Sequence, residues 1–268
     1  MISNTDKVDL LLRYSGGKYY ALKQLSKFWI EKKHETYIEP FFGGGSVFWT
    51  KPKAKINWIN DYDKDLIHFL NFIKNENNLK KLLLKLNKEK TPTKERHQEV
   101  KNIDKSDALT KAFKYFYLNR TSFSGKMNNP HWGFRPIRSL PIERWHERLI
   151  PCSKKLKNVK ITNLSFEHVL KNNLNDKNTL VYLDPPYYKP PKNSHYKISF
   201  ENRDHLKLLS YLKKMKTKFF LSYDDSAEIR EMYKDFKISE IKFYYRVTNS
   251  RNVQNKRLKK KELVISNF

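Results

Sequence analysis

Asp184-Pro185-Pro186-Tyr187-Tyr188 follows an apolar run at 180–183. A buried strand of that composition sets the acid on the loop at its C-terminal edge, where open α/β sheets bind ligands. Two successive prolines supply no N–H and fix φ, so the backbone is stiff and its carbonyls are free to accept. Rigid acceptors beside an aromatic ring suit a planar amine. Asp184 and the Pro185 carbonyl can each accept one N–H of an exocyclic amino group while Tyr187 stacks on the ring. An acidic turn with purely structural prolines is the other use of the same residues.

A second group precedes it. In Glu39-Pro40-Phe41-Phe42-Gly43-Gly44-Gly45 the glycines let the backbone approach a ligand closely, and Asp61 closes the next β-prone run, where a carboxylate meets ribose hydroxyls. Both predict one cofactor pocket. The spacing is not G-x-G-x-x-G, and no Lys-Ser/Thr pair follows the glycines, so a dinucleotide or P-loop site is not supported. Ser15-Gly16-Gly17-Lys18 lacks the upstream glycine of a Walker motif and by itself reads as a helix N-terminus.

The elements that must carry these residues follow from periodicity. A helix is predicted over 18–33, a strand over 36–39, a helix opening at Ser46, a strand over 56–60 and a helix carrying Leu66, Ile67, Phe69, Leu70 and Ile73. This βαβ rhythm predicts a parallel sheet. From 75 to 151 it breaks: 79–86 and 108–118 read as helices with no strand between them, and 119–141 as a hairpin or ordered loop. Strands are predicted again at 159–162, 179–183, 218–222, 238–247 and 262–266, with helices at 166–170, 203–214 and 227–233. Asp225 is expected to cap the last helix, with Tyr223 and Asp224 at the same sheet edge as the pocket. The basic run 256–261 is expected as a solvated turn between the two final strands.

Composition bounds the class. The 268 residues carry 55 Lys and Arg against 28 Asp and Glu, a formal charge of +27, which favours polyanionic partners. An AT-rich coding sequence would also enrich Lys, so charge alone does not decide. With 38% hydrophobic and 14% aromatic residues the chain can bury a core, which excludes a disordered polyelectrolyte. The single cysteine, Cys152, and the lack of zinc-like Cys/His spacing predict a reducing compartment and a metal-free site. No run approaches the ~18 apolar residues of a membrane span, and the first nine residues lack a signal-peptide stretch, so a cytoplasmic protein is expected.

In order and content these motifs resemble the Dam-type (D12 class) DNA adenine N6-methyltransferases. Arg13-Tyr14-Ser15-Gly16-Gly17-Lys18 is similar to that family's N-terminal cofactor motif, the stretch from Glu39 through Gly45 to Phe48 to its S-adenosylmethionine loop, and Asn60-Asp61 to its ribose-binding acid. Asp184-Pro185-Pro186-Tyr187 matches its catalytic tetrapeptide. Asn119-Arg120-Thr121-Ser122-Phe123-Ser124-Gly125 is similar to the start of its DNA-reading hairpin, and Lys261-Glu262-Leu263-Val264-Ile265 to its closing strand. Tyr14 stands where many relatives have Trp, and 126–138 diverges, so no recognition sequence carries over.

The resemblance implies an α/β fold: a Rossmann-like S-adenosylmethionine-dependent methyltransferase sheet, ending in an antiparallel pair, with a mainly helical target-recognition subdomain at 75–155 inserted between catalytic segments 1–74 and 156–268. It implies catalysis by Asp184, Pro185, Pro186 and Tyr187, and cofactor binding by Tyr14, Lys18, Glu39, Pro40, Phe41, Gly43, Gly44, Gly45, Asp61 and Asp184. Lys18 is expected at the cofactor or the catalytic loop. Phe166 is expected either to stack on the cofactor adenine or to pack in the core. The substrate implied is double-stranded DNA, methylated on an extruded adenine without a metal or a membrane. Arg13, Arg120, Arg135 and Arg138 are candidates for base or phosphate contacts, and Phe123 for the gap left in the stack, with core packing as its alternative. A cognate restriction endonuclease and a prokaryotic, phage or viral source also fit. RNA methylation, or a non-catalytic DNA-binding relative, are the rival functions.

Overall fold

A computed structural model describes residues 8–14, 18–104, 106–188, 200–246 and 257–268. Seven strands, β1 (Thr36–Glu39), β2 (Ile56–Asn60), β3 (Val159–Thr162), β4 (Thr179–Leu183), β5 (Lys218–Asp224), β6 (Lys237–Arg246) and β7 (Arg257–Ser266), form one sheet in the order β3-β2-β1-β4-β5-β7-β6. The first five pair in parallel, and β7 lies antiparallel between β5 and β6. Chain direction across the sheet reverses between β1 and β4, which opens a crevice at their C-terminal ends.

Alternation along the strands sorts the core into two layers. Tyr37, Ile59, Leu180, Tyr182, Phe220 and Val264 face one cluster; Ile38, Trp58, Val181, Leu183, Phe219, Leu221 and Leu263 face the other. Over the first lie α1 (Leu22–Leu25), α2 (Lys27–Ile30), α3 (Ser46–Thr50) and α4 (Lys64–Lys74), joined by α5 (Glu76–Leu86), α6 (Lys94–Asn102), α7 (Ala108–Thr121), α8 (Pro136–Ser139) and α9 (His146–Leu156). Over the second lie α10 (Phe166–Lys171), α11 (Asn202–Lys214) and α12 (Ala227–Met232). The helical stretch after α4 buries Leu82, Phe113, Phe116, Trp145 and Leu149 in the same cluster as the sheet, with Phe116 stacked on Phe69 of α4 at 5.6 Å.

Two expectations need correction. The basic run is no turn: Arg257 to Lys261 belong to β7 and pair with β6, for example Lys261 with Lys242 and Arg257 with Arg246. Lys256 lies outside the described residues. Helix α12 is capped by Ser226, whose hydroxyl accepts from Ile229 N–H, while Asp225 instead pairs with Arg230 at 2.6 Å. The 119–141 stretch is, as expected, an ordered loop: it leaves the last turn of α7, is closed by one antiparallel bridge, Ser122 to Trp132, and carries a short 3-10 turn and α8.

Candidate active site

The crevice beyond β1 and β4 is a cleft of about 420 Å³. Its floor is the glycine turn. Gly45, at φ +64°, takes a left-handed conformation, and a Cβ there would stand 2.3 Å from the Phe42 ring. A Cβ on Gly44 would stand 2.6 Å from Cβ of Tyr14, so only glycine lets the Tyr14 segment lie on the turn. Asp61 braces the same turn: Oδ2 accepts from Gly43 N–H at 2.7 Å and Oδ1 from Asp63 N–H at 2.8 Å. Burial pushes its carboxyl up to about 6, against the pull of those backbone donors.

Asn60 was not expected in a structural role. Its side-chain amide donates to the carbonyls of Pro40 and Leu164, both at 3.0 Å, and its oxygen accepts from Thr162 Oγ1 and Leu164 N–H. One buried amide thus ties together the loops after β1, β2 and β3. The signal was its position beside Asp61 at a strand end. Phe41, Phe166 and Phe200 form an aromatic wall of the cleft, with centroids 5.4–5.7 Å apart. Phe166 packs in the core at 8% exposure and also lines the cleft.

Across the cleft stands Asp184. Its Oδ1 accepts from Lys18 Nζ at 2.6 Å and from Ser222 Oγ at 3.0 Å. About a quarter of the side chain, 24%, is exposed, and it lines the cleft. Burial raises its pKa, while the Lys18 ammonium and the hydrogen bonds oppose the rise. Burial also opposes the Lys18 charge, but Asp184, Tyr187 and Glu262 outweigh it and hold that ammonium protonated well above the ordinary lysine range. Lys18 therefore reaches the loop after β4 while its chain borders the cleft. Glu39, at the end of β1, is buried with its Oε2 accepting from Tyr37 O–H at 2.8 Å, and burial drives its pKa well up.

Tyr14, Lys18, Glu39, Pro40, Phe41, Gly43, Gly44, Gly45, Asp61, Phe166, Asp184 and Pro186 are all brought to one cleft. Pro185 is buried and does not border the cleft, and Tyr187 too is placed differently from expectation. Its ring is 7% exposed and does not border the cleft; Lys18 donates to its hydroxyl at 3.0 Å, and that hydroxyl donates to Glu262. The residues at 189–199, which follow the tetrapeptide, lie outside the described residues. Tyr62, Asp63, Leu164, Arg203 and Asp204 also line the cleft, and none carried a motif.

The arginines divide into two kinds. Arg120 is 3% exposed and donates to the Ser139 carbonyl, and burial, with Arg13 and Arg148 nearby, lowers its pKa to about 9. Arg13 spends Nη1 on the carbonyls of Arg120 and Ser122 and on Ser139 Oγ at 2.8–3.2 Å. Both brace the loop; burial removes Arg120 from the candidate DNA contacts, while Arg13 is half-buried. Arg135 and Arg138 are exposed. Phe123 is 49% exposed and so is not packed in the core. Asn119, unpredicted as a clamp, bonds both the N–H and the carbonyl of Arg13 at 2.9 Å. Among the described residues no group of three or more His, Cys, Asp or Glu is placed to hold a metal ion, and no helix is long and apolar enough to cross a membrane.

A parallel sheet with one antiparallel strand slotted between β5 and β6, and a cleft where the strand order reverses, is a Rossmann-like arrangement of the kind methyltransferases use. A family model described as D12 class N6 adenine-specific DNA methyltransferase matches residues 14–247, and the chain belongs to that family. It is 26% identical to the Type II methyltransferase M.CviBI of Paramecium bursaria Chlorella virus NC1A over 96% of this chain and 99% of that one. It is 28% identical to M.MjaIII of Methanocaldococcus jannaschii over 88% and 91%, and 26% identical to M1.LlaDCHI of Lactococcus lactis subsp. cremoris over 85% and 86%. The chain is a DNA adenine methyltransferase that uses S-adenosylmethionine.

Proposed function

We propose that the protein methylates N6 of an adenine extruded from double-stranded DNA, with Asp184 and the Pro185 carbonyl as acceptors for the amino group. The observation that carries this reading is the partly exposed Asp184 carboxylate facing the glycine turn across one cleft. The residues present fit the cofactor: Asp61 brings a carboxylate to the cleft for ribose hydroxyls, and the Phe41, Phe166 and Phe200 wall suits a heterocycle. S-adenosylmethionine supplies an activated methyl group on a sulfonium.

The chain supplies geometry. The adenine amine is a poor nucleophile because its lone pair is delocalised into the ring. Two acceptors on its N–H groups favour a pyramidal nitrogen whose lone pair points toward the glycine turn. Holding reactants in such an attack geometry is worth ~7–11 kcal/mol, whereas general acid–base catalysis typically gives only about 10²–10⁴-fold, so positioning dominates. The Pro185-Pro186 pair serves it by denying the loop its freedom.

Extrusion costs a few kcal/mol, which phosphate contacts repay. Residues 75–155 are assigned to target recognition, with Arg135 and Arg138 presented to DNA and the exposed ring of Phe123 filling the vacated stack. Partnership with a restriction endonuclease, and work in a prokaryotic or virus-infected cytoplasm, accord with the Type II names of the relatives. Asp184→Asn tests the core of the reading: methyl transfer to a duplex oligonucleotide should vanish while calorimetry still detects S-adenosylmethionine binding. Turnover near the wild-type rate sinks the assignment, and a preference for RNA over duplex DNA in the same assay moves the substrate class.

A further inference from the structure

Lys18, Asp184, Tyr187 and Glu262 reach one buried point from three distant stretches of chain. Glu262 on β7 is fully buried, 0% exposed. Its Oε2 lies 3.7 Å from Lys18 Nζ, on the ammonium that contacts Asp184 at 2.6 Å, and its Oε1 accepts from the Tyr187 hydroxyl. An ammonium this close, acting alone, would cancel the Asp184 charge and draw its lone pairs away from an arriving amine. A second carboxylate beside that ammonium changes the balance: one cation and two carboxylates leave one net negative charge. Methyl transfer would break the C–S bond of the sulfonium, form the N–C bond and leave the amine nitrogen positive until it sheds one proton, and a negative site nearby would stabilise that charge.

We propose that Glu262 is a positioning residue for methyl transfer, holding Lys18 and Tyr187 so that Asp184 remains an acceptor for the target amine. This rests on the role given to Asp184 above. The groups facing the cluster are Lys18 from the turn before α1, Tyr182 on β4, Asp184 and Tyr187 on the loop after it, and Glu39 at the end of β1. Asp224 stands opposite Glu262 on β5 but accepts from Tyr188 N–H. The Glu262 charge works against ionisation of Asp184 and in favour of protonated Lys18. Removing it therefore moves the ionisation of both groups to lower pH.

The test is single-turnover methylation of a duplex oligonucleotide across pH by Glu262→Gln and Glu262→Asp, with cofactor binding and thermal melting alongside. E262Q should lose about ten-fold or more in rate, keep its affinity for S-adenosylmethionine, and shift the acidic limb of its profile downward; E262D should recover much of the rate. A wild-type rate and an unmoved limb in E262Q overturn the proposal. So does an equal loss of melting temperature and cofactor affinity in both variants, which would mark a merely structural carboxylate. If E262Q does not fold, Tyr187→Phe, which cuts the hydroxyl link but keeps every charge, decides: a reduced rate with cofactor binding intact supports the role, and an unchanged rate overturns it. Asp184→Asn separates the two failures, because an active D184N defeats the reading of Asp184 itself, whereas an inactive D184N beside a fully active E262Q defeats only the role of Glu262.

Discussion

Asp61 is the residue whose chemistry has the plainest pH signature. Its carboxyl titrates near 6 in the fold because burial outweighs its backbone donors, against an ordinary value near 3.8. The folded pKa is raised, so between those values the native state binds more protons than the unfolded one, and stability falls as pH rises through the window. Ribose hydroxyls donating to the carboxylate favour the charged form, so cofactor affinity should strengthen as pH rises through about 6 and then level off. Isothermal titration at several pH values checks this, and Asp61→Asn should bind more weakly and show a flat profile over that range. A wild-type profile flat across the same interval defeats the ribose assignment. Asp61 and Asp184 were readable before the structure because each ends an apolar run. Asn60 and Glu262 were not, because one buried amide and one buried carboxylate look like any polar residue in a strand until their partners, 20 to 244 positions away, are in place.

Among the elements, the five parallel strands were readable because each is a short apolar run behind a helix. The helices of the inserted stretch were less so, for reasons that differ. Helix α9 holds Pro151 in its interior, which reads as a stop, yet Leu149, Cys152 and Leu156 still bury one face. Helix α6 buries little beyond His97 and Val100, so no apolar stripe announces it, and its start is the Thr93 hydroxyl accepting from Arg96 N–H. The loop around α8 shows what burial does to arginine. Arg120→Ala should cost about 2 kcal/mol of stability, from a charged donor lost to the Ser139 carbonyl, with the salt dependence of DNA binding unchanged. Exposed Arg138→Ala should leave the melting temperature alone and reduce the slope of log K against log[salt] by about 1. Melting curves paired with salt titrations check both, and the reverse pattern would exchange their roles.

At the scale of the whole molecule, a charge of +27 explains attraction to a polyanion but not where the duplex lies. That depends on how the helical arm meets the sheet. Both share one apolar cluster, and the segment at residues 13 and 14 joins their polar ends: the Arg13 side chain is fastened to Ser139 at the end of α8, its backbone to Asn119 of α7, and Tyr14 rests on Gly44. Two adjacent amino acids thereby act as a common hinge pin for the helical stretch to which we assign the duplex and the glycine turn to which we assign the methyl donor. Loading one should make loading the other easier, by the same factor in either direction. Measured dissociation constants for DNA with and without the donor, and for the donor with and without DNA, should close that thermodynamic square, and Asn119→Ala, which loosens the pin without touching either ligand, should bring the factor toward unity.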